Sequence, residues 1–242
     1  MDLFDSWLVN NYIAHRGFHT PKAPENSMGA FKNAIEKGYP IELDVQLLED
    51  NTVVVFHDYV LKRMTNQDGY VSKLKKEDLK NYKLAGTQET IPTLKEVLEL
   101  VNGKVPILIE IKNEGKVGRL ESEVIKILKD YKGEYAVQSF NPFSLNYFYQ
   151  NAPEIIRGQL SGSFEDFDST RIVKALLKRM AFNKKYSKPH FIAYESKMMP
   201  NRFVKRYKHL PLIVWAVKSQ EEYMNVIKYC DNIIFEQFEP KV

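Results

Sequence analysis

The sequence predicts an α/β chain of the (β/α)8 TIM-type barrel class. Three observations predict it. Short apolar runs begin near residues 12, 41, 107, 135, 155, 191, 212 and 232, which makes eight strands. Every run but the last is followed by a stretch long enough to hold a helix, and a parallel crossover needs that length. The 242 residues carry no composition break and no shorter internal repeat, so one domain over 1–242 is expected.

The elements follow in order. Tyr12 to His15 is a short strand that delivers a histidine at its carboxyl end, and Gly17 relieves the turn after it. A loop with Pro21 and Pro24 leads to Asn26 or Ser27, either of which can cap a helix built on Met28, Phe31, Ala34 and Ile35. Gly38 and Pro40 stop that helix before the strand IELDV, residues 41–45. Only six residues separate IELDV from TVVVFHD, too few for a parallel crossover. The Asp50-Asn51 turn signal makes 46–57 a hairpin-like excursion that carries His57 back over the strand before it. Residues 59–91 read as a long polar loop region, of a length that is usually functional or holds short elements of its own.

From Thr93 the alternation is regular. Thr93 caps a helix ending at Gly103, and the strand ILIEIK (107–112) precedes a helix over 117–131. Strand 135–140 runs into Asn141-Pro142, a cap with proline at the first helical position of a helix over 142–150. Strand 155–160, helix 169–181, strand 191–195, helix 200–208, strand 212–217, helix 219–230 and strand 232–236 complete the count. No full final helix follows in the sequence.

Side chains alternate faces along a strand, so Glu42 and Asp44 share the face opposite Ile41, Leu43 and Val45. In ILIEIK, Glu110 and Lys112 share the face opposite Ile109 and Ile111. Each strand alone could be the wet face of an antiparallel sheet. Together with His15-Arg16 and His57-Asp58 they describe a charged cluster. Burying unpaired ions is costly, so a cluster of this kind implies a purpose. Glu42, Asp44 and Glu110 form an all-oxygen set suited to a hard cation, Mg²⁺ or Ca²⁺, and poorly suited to zinc. The structural alternative is a salt-bridge network with Arg16 and Lys112. In a (β/α)8 barrel the active site lies at the carboxyl ends of the strands, where all these residues fall.

Bulk properties exclude several classes. The net charge of +4 is mild, Lys and Arg are scattered, and no dense basic run suggests a nucleic-acid binder. One cysteine, Cys230, permits no internal disulfide and reads as packed. The first twelve residues carry two acids and no basic region, unlike a signal peptide. No apolar run approaches the roughly 18 residues of a spanning helix, so a cytoplasmic protein is expected.

The motifs His15-Arg16-Gly17, Pro24-Glu25-Asn26-Ser27, Glu42-Leu43-Asp44-Val45, His57-Asp58 and Glu110-Ile111-Lys112 resemble those of the glycerophosphodiester phosphodiesterases. Ile91-Pro92-Thr93-Leu94, Gln138-Ser139-Phe140 and Trp215 fall where that family has similar segments, so the resemblance covers the whole chain in order. It implies a barrel of the phospholipase C-like phosphodiesterase architecture. It also implies a divalent cation and hydrolysis of glycerophosphodiesters, such as deacylated phospholipids, to sn-glycerol 3-phosphate and an alcohol. It places Glu25 and Asn26 near the site, one of them completing the metal shell. Two strand ends depart from the family's pattern. Trp215-Ala216-Val217-Lys218 stands for a usual Trp-Thr-Val-Asn, and Phe235-Glu236-Gln237-Phe238-Glu239-Pro240 stands for a usual Thr-Asp-x-Pro.

On this reading Glu42, Asp44 and Glu110 hold the metal, and Arg16 and Lys112 bind the phosphate. His15 is the general base and His57 the general acid, an order that the sequence does not fix. The nucleophile is water or the substrate's own neighbouring hydroxyl, the latter giving a cyclic intermediate. Gln138 and Trp215 line the substrate pocket or pack in the core. His19, His190 and His209 read as surface or loop residues. The partner expected is a small-molecule glycerophosphodiester. Two alternatives stand beside it: a lysophospholipase D-like phosphodiesterase, and a non-catalytic barrel acting as a binding module. Peripheral membrane contact through 59–64 or 176–186 is conceivable but not favoured, because both segments can be ordinary amphipathic ones.

Overall fold

The computed structural model describes residues 3–113, 116–164 and 170–241. The strands are β1 (Ile13–Ala14), β2 (Ile41–Leu47), β3 (Val53–Val55), β4 (Ile107–Ile111), β5 (Tyr135–Ser139), β6 (Arg157–Ser161), β7 (Phe191–Glu195), β8 (Leu212–Val217) and β9 (Asn232–Phe235). They hydrogen-bond in the order β1-β9-β8-β7-β6-β5-β4-β2-β3, and β1 also pairs with β2. Without β3 that order is a closed ring of eight, the (β/α)8 barrel expected. The helices are α1 (Trp7–Asn10), α2 (Met28–Lys37), α3 (Lys62–Thr65), α4 (Leu94–Val101), α5 (Arg119–Leu128), α6 (Pro142–Asn151), α7 (Arg171–Lys178) and α8 (Gln220–Val226). Among the described residues no helix follows β9. The chain divides into two compact units, Ala14–Tyr135 and Met1–Ile13 with Ala136–Val242.

In the unit Ala14–Tyr135, β2 is buried on both faces, as a parallel barrel strand must be. It pairs with β4 in a register that sets Asp44 opposite Glu110. The strand runs two residues past the predicted IELDV, through Gln46 and Leu47, because β3 pairs antiparallel with its upper half, Val45 to Leu47. The hairpin-like excursion is therefore present. Ser27, not Asn26, caps α2, with its hydroxyl accepting from the Ala30 amide, and left-handed Gly38 ends it. Thr93 and Glu96 form a reciprocal capping box at α4. Helix α5 buries Leu120, Val124 and Leu128.

Residues 59–91 are a long connection with short elements of its own. They hold α3 and 3-10 turns at Val71–Lys73 and Lys76–Asn81. Leu61, Met64, Val71, Leu74, Leu79, Leu84 and Ile91 gather with Leu48, Val54 and Phe56 into a small core of their own. The apolar residues are spaced irregularly, so no periodicity announces the element; only the shared cluster does.

In the other unit, Asn232 is fully buried and donates to the carbonyls of Leu8 and Asn11, which ties the N-terminal helix to β9. Asn141 caps α6 with proline at its first position, as the sequence predicts. Thr170 caps α7, and Ser169, the predicted start, lies outside the described residues. The predicted helix 200–208 is instead a 3-10 turn at Val204–Tyr207. The Asn201 side chain accepts from the Phe203 amide at 2.7 Å, a local turn that competes with helix initiation.

Candidate active site

The site is built from the carboxyl ends of β1 and β4 and from the face of β2 that carries Glu42 and Asp44, which lie no further along that strand than its middle because it runs on to Leu47. After β1, Arg16 and Gly17 both take left-handed backbone angles, φ 54° and 80°. A Cβ at Gly17 would stand 2.9 Å from the carbonyl carbon of Ala30, so glycine is required there. This tight turn presents the Arg16 amide to Glu42 Oε2 at 3.0 Å. It also aims the guanidinium at Glu25, with Nη1 donating to Oε1 at 2.7 Å. Nε faces Asp44 Oδ2 at 3.4 Å. Asn26, also left-handed at φ 56°, donates through Nδ2 to Asp44 Oδ2 at 2.9 Å. It thus braces a carboxylate and leaves helix capping to Ser27.

Glu42, Asp44 and Glu110 each offer an oxygen within 4.8 Å of the others, and all three are buried. Lys112 donates to Glu110 Oε1 at 3.2 Å and lies 3.7 Å from Asp44 Oδ1. Its ammonium stands 6.0 Å from the ring centre of Tyr59, a neighbour the sequence did not single out. His15 Nε2 lies 3.9 Å from Glu42 Oε2. The cluster splits the acids' protonation behaviour. Burial, then the charges of Asp44 and Glu110, push Glu42 well above the usual carboxylate range. At Asp44 burial acts the same way, but His57, Lys112 and Arg16 outweigh it and hold the group below that range. Lys112 is likewise raised because Glu110 and Asp44 outweigh its desolvation.

His57 arrives by way of β3. The Phe56 amide bonds the Asp44 carbonyl at 2.9 Å, which sets the next residue beside the acids. Gln46, on the same face of β2 as Glu42 and Asp44, is buried and donates to the carbonyls of Phe56, His57 and Asp58. His57 Nδ1 pairs with Asp58 Oδ1 at 2.7 Å. Arg63 on α3 then grips two carboxylates at once. It meets Asp58 at 2.6 and 3.0 Å and Glu25 at 2.7 and 3.0 Å. With both arginines on it, Glu25 is held down to about 2; its burial acts in the opposite sense and is outweighed by Arg63 and Arg16.

Sequence reasoning missed Arg63 and Gln46. Gln46 could have been found by continuing the Glu42, Asp44 alternation one step. Arg63 had no signal, because its partners lie 38 and 5 residues away in a segment without periodicity.

Gln138 and Trp215 belong to the other unit. Gln138 is buried on β5. Trp215 on β8 packs edge-on against Phe140 at 5.4 Å. Near it, Glu195 Oε2 accepts from the Ser163 amide. The two departures from the family's pattern meet there as an ion pair, Lys218 Nζ to Glu236 Oε1 at 2.7 Å. His190 Nδ1 accepts from the Arg157 amide, a structural contact. Cys230 is half-buried, and burial, then Asp231, pushes its thiol up to about 12.

Comparison with known proteins places this arrangement. A glycerophosphodiester phosphodiesterase of Caldanaerobacter subterraneus subsp. tengcongensis is 42% identical over 162 residues, which is 61% of this chain and 65% of that protein. The match therefore spans just under two thirds of that relative's length. Among solved structures, a glycerophosphodiester phosphodiesterase from Thermotoga maritima superposes with a TM-score of 0.73 at 27% identity, covering 93% of this chain and 94% of that one. An Oleispira antarctica phosphodiesterase in complex with the product sn-glycerol-3-phosphate superposes at 0.78 with 24% identity, covering 94% and 93%. The model of the glycerophosphoryl diester phosphodiesterase family matches residues 15–235, and the chain belongs to that family.

Proposed function

We propose that the chain hydrolyses glycerophosphodiesters to sn-glycerol 3-phosphate and an alcohol, with a divalent cation held by Glu42, Asp44 and Glu110. The observation that carries this is the carboxylate triad with its oxygens within 4.8 Å. Five carboxylates (Glu25, Glu42, Asp44, Asp58, Glu110) face three fixed cations (Arg16, Arg63, Lys112) in one contact network. The carboxylates outnumber the fixed cations, so the corner attracts a positive ion, and the raised Glu42 marks where the acids' repulsion is concentrated. The donor set is all oxygen, which fits Mg²⁺ or Ca²⁺. Family membership supports the reading, as does the product named for the Oleispira antarctica neighbour.

Bound there, the ion supplies charge stabilisation at the phosphoryl oxygens. The chain's own residues do the rest. Lys112 has three N–H donors, one of them on Glu110, and Arg16 adds a second cation; both attract the phosphate. His15 removes a proton from the attacking hydroxyl of water. As the phosphorus–oxygen bond to the alcohol breaks, His57 delivers a proton to the leaving oxygen. Asp58 holds Nδ1 of His57, so Nε2 is the atom turned towards that oxygen.

The test is release of glycerol 3-phosphate from glycerophosphocholine and glycerophosphoethanolamine, before and after chelation and with Mg²⁺ or Ca²⁺ restored. Activity lost to chelator and recovered with one of the ions is expected. Product formed at full rate in chelator removes the metal from the reading, and no product under any condition removes the reaction.

A further inference from the structure

Helix α7 has the pattern of a packed helix but not its packing. Ile172, Val173, Leu176 and Leu177 form one stripe, and Arg171, Lys174 and Lys178 lie on the opposite side. Yet no residue of α7 is fully buried: Ile172 is 74% exposed and Val173 is exposed beside it, while Leu176 and Leu177 are half-buried. Its last turn is held where the Leu177 and Lys178 carbonyls accept from Ser161 and Tyr194. Beyond it an aromatic group follows. Phe143 meets Phe182 at 6.0 Å and Tyr186 at 5.1 Å between ring centres, both tilted, and Phe143 is itself exposed. Lys185 lies over Tyr186 at 5.0 Å.

The charge of this stretch differs from that of the rest of the chain. Residues 170–194 contain seven Lys or Arg and no acid. Residues 170–220 hold thirteen of the chain's 35 basic residues and one of its 31 acids, a net +12 that leaves −8 for everything else. The three acids just upstream, at 165, 166 and 168, leave residues 160–194 at +4. Lys and Arg are thus segregated, which corrects the reading of a scattered distribution. The other segment considered for membrane contact, 59–64, is different: Leu61 and Met64 are buried in the small core and Arg63 is committed to Glu25 and Asp58.

We propose that the exposed stripe of α7, with the aromatic turn after it, docks on an anionic lipid bilayer. A helix with a basic face and an uncovered apolar face suits the headgroup boundary of such a membrane. Aromatic side chains with a wet edge and an apolar body suit the same depth. The exposed isoleucine, valine and phenylalanine favour lipid over nucleic acid, whose phosphates give apolar side chains nothing to enter.

The test is co-sedimentation of the full chain with vesicles of phosphatidylcholine alone and of phosphatidylcholine mixed with phosphatidylglycerol, at low and high salt. The protein is expected to bind only the mixed vesicles and to release in high salt. Lys174→Gln with Lys178→Gln should weaken binding about thirtyfold. Ile172→Ser should weaken it about tenfold with unchanged circular dichroism, since the side chain is exposed in the free protein. No binding, equal binding to both vesicles, or an Ile172→Ser variant that binds like the parent overturns the proposal. Salt-sensitive capture of a DNA duplex that Lys174→Gln with Lys178→Gln abolishes and Ile172→Ser leaves intact would overturn it in favour of a nucleic acid.

Discussion

Glu42 and Asp44 on β2 are each 1% exposed, whereas Ile172 on α7 is 74% exposed. Each region inverts the usual partition of side chains, and the two inversions are managed differently. The acids are buried because other groups meet them: backbone amides, Asn26, Lys112 and Arg16. The isoleucine has no such company. A buried charge that is braced on several sides marks a site where charge is used. An exposed apolar stripe marks a surface that meets something else.

The largest expected effects come from dismantling the buried set. His57→Ala should lower turnover of glycerophosphocholine by roughly 10²–10⁴-fold, the range for losing a general acid. Glu42→Gln should lower it by a similar factor while leaving the thermal midpoint in chelator equal to or above that of the parent, because one of three mutually repelling carboxylates is gone. Added Mg²⁺ or Ca²⁺ should raise the midpoint of the parent and not of Glu42→Gln. A variant that keeps full turnover would reduce the corner to the salt-bridge network that was the alternative.

Arg63 comes next. It positions His57 through Asp58 and positions Arg16 through Glu25, touching neither reacting atoms nor the triad. Arg63→Met should cost about 10–100-fold in kcat with KM little changed, the scale of losing an outer partner in a site. Arg63→Lys should recover only part of this, since an ammonium cannot fork to two carboxylates. A KM effect alone would make Arg63 a substrate contact instead.

The same clamp makes an acid-stability prediction. A carboxylate whose folded value lies below its unfolded one stabilises the fold at all pH above the unfolded value, near 4.3, and loses that contribution as pH falls through the folded value. For Glu25 the folded value is about 2. In chelator, Glu25→Gln should therefore be less stable than the parent by roughly 3 kcal/mol at neutral pH, and the gap should close between about pH 4.5 and pH 2. Denaturant midpoints across that range measure it. A gap that persists at the acid end would assign the loss to packing rather than to the ion pairs.

Much of this was legible in the chain. Alternation in IELDV and ILIEIK put three acids on two strand faces, and the β2–β4 register brings them together. Ser27, Thr93 and Asn141 were visible as caps because capping is a local event with local residue preferences. What stayed hidden depends on contacts across the sequence. The Arg63 clamp joins α3 to the two loops that carry Glu25 and Asp58. The two departures from the family's strand ends face each other as the Lys218–Glu236 ion pair, a contact that neither strand reveals alone. The small core of 59–91 has no period to detect.

The hardest case is a pair of helices with the same pattern. Periodicity states which face of a helix is apolar and says nothing about whether another element covers it. Helix α5 lays Leu120, Val124 and Leu128 into the fold, while the still more amphipathic α7 fully buries none of its side chains. Truncation separates the two at the small end of the scale. Leu120→Ala should cost about 2–5 kcal/mol, the transfer term plus a cavity. Ile172→Ser should change stability by less than about 0.5 kcal/mol, as an exposed position does. A large loss at Ile172, measured in the absence of lipid, would mean that the stripe is covered in solution by protein, and the docking surface would then be an interface already in use.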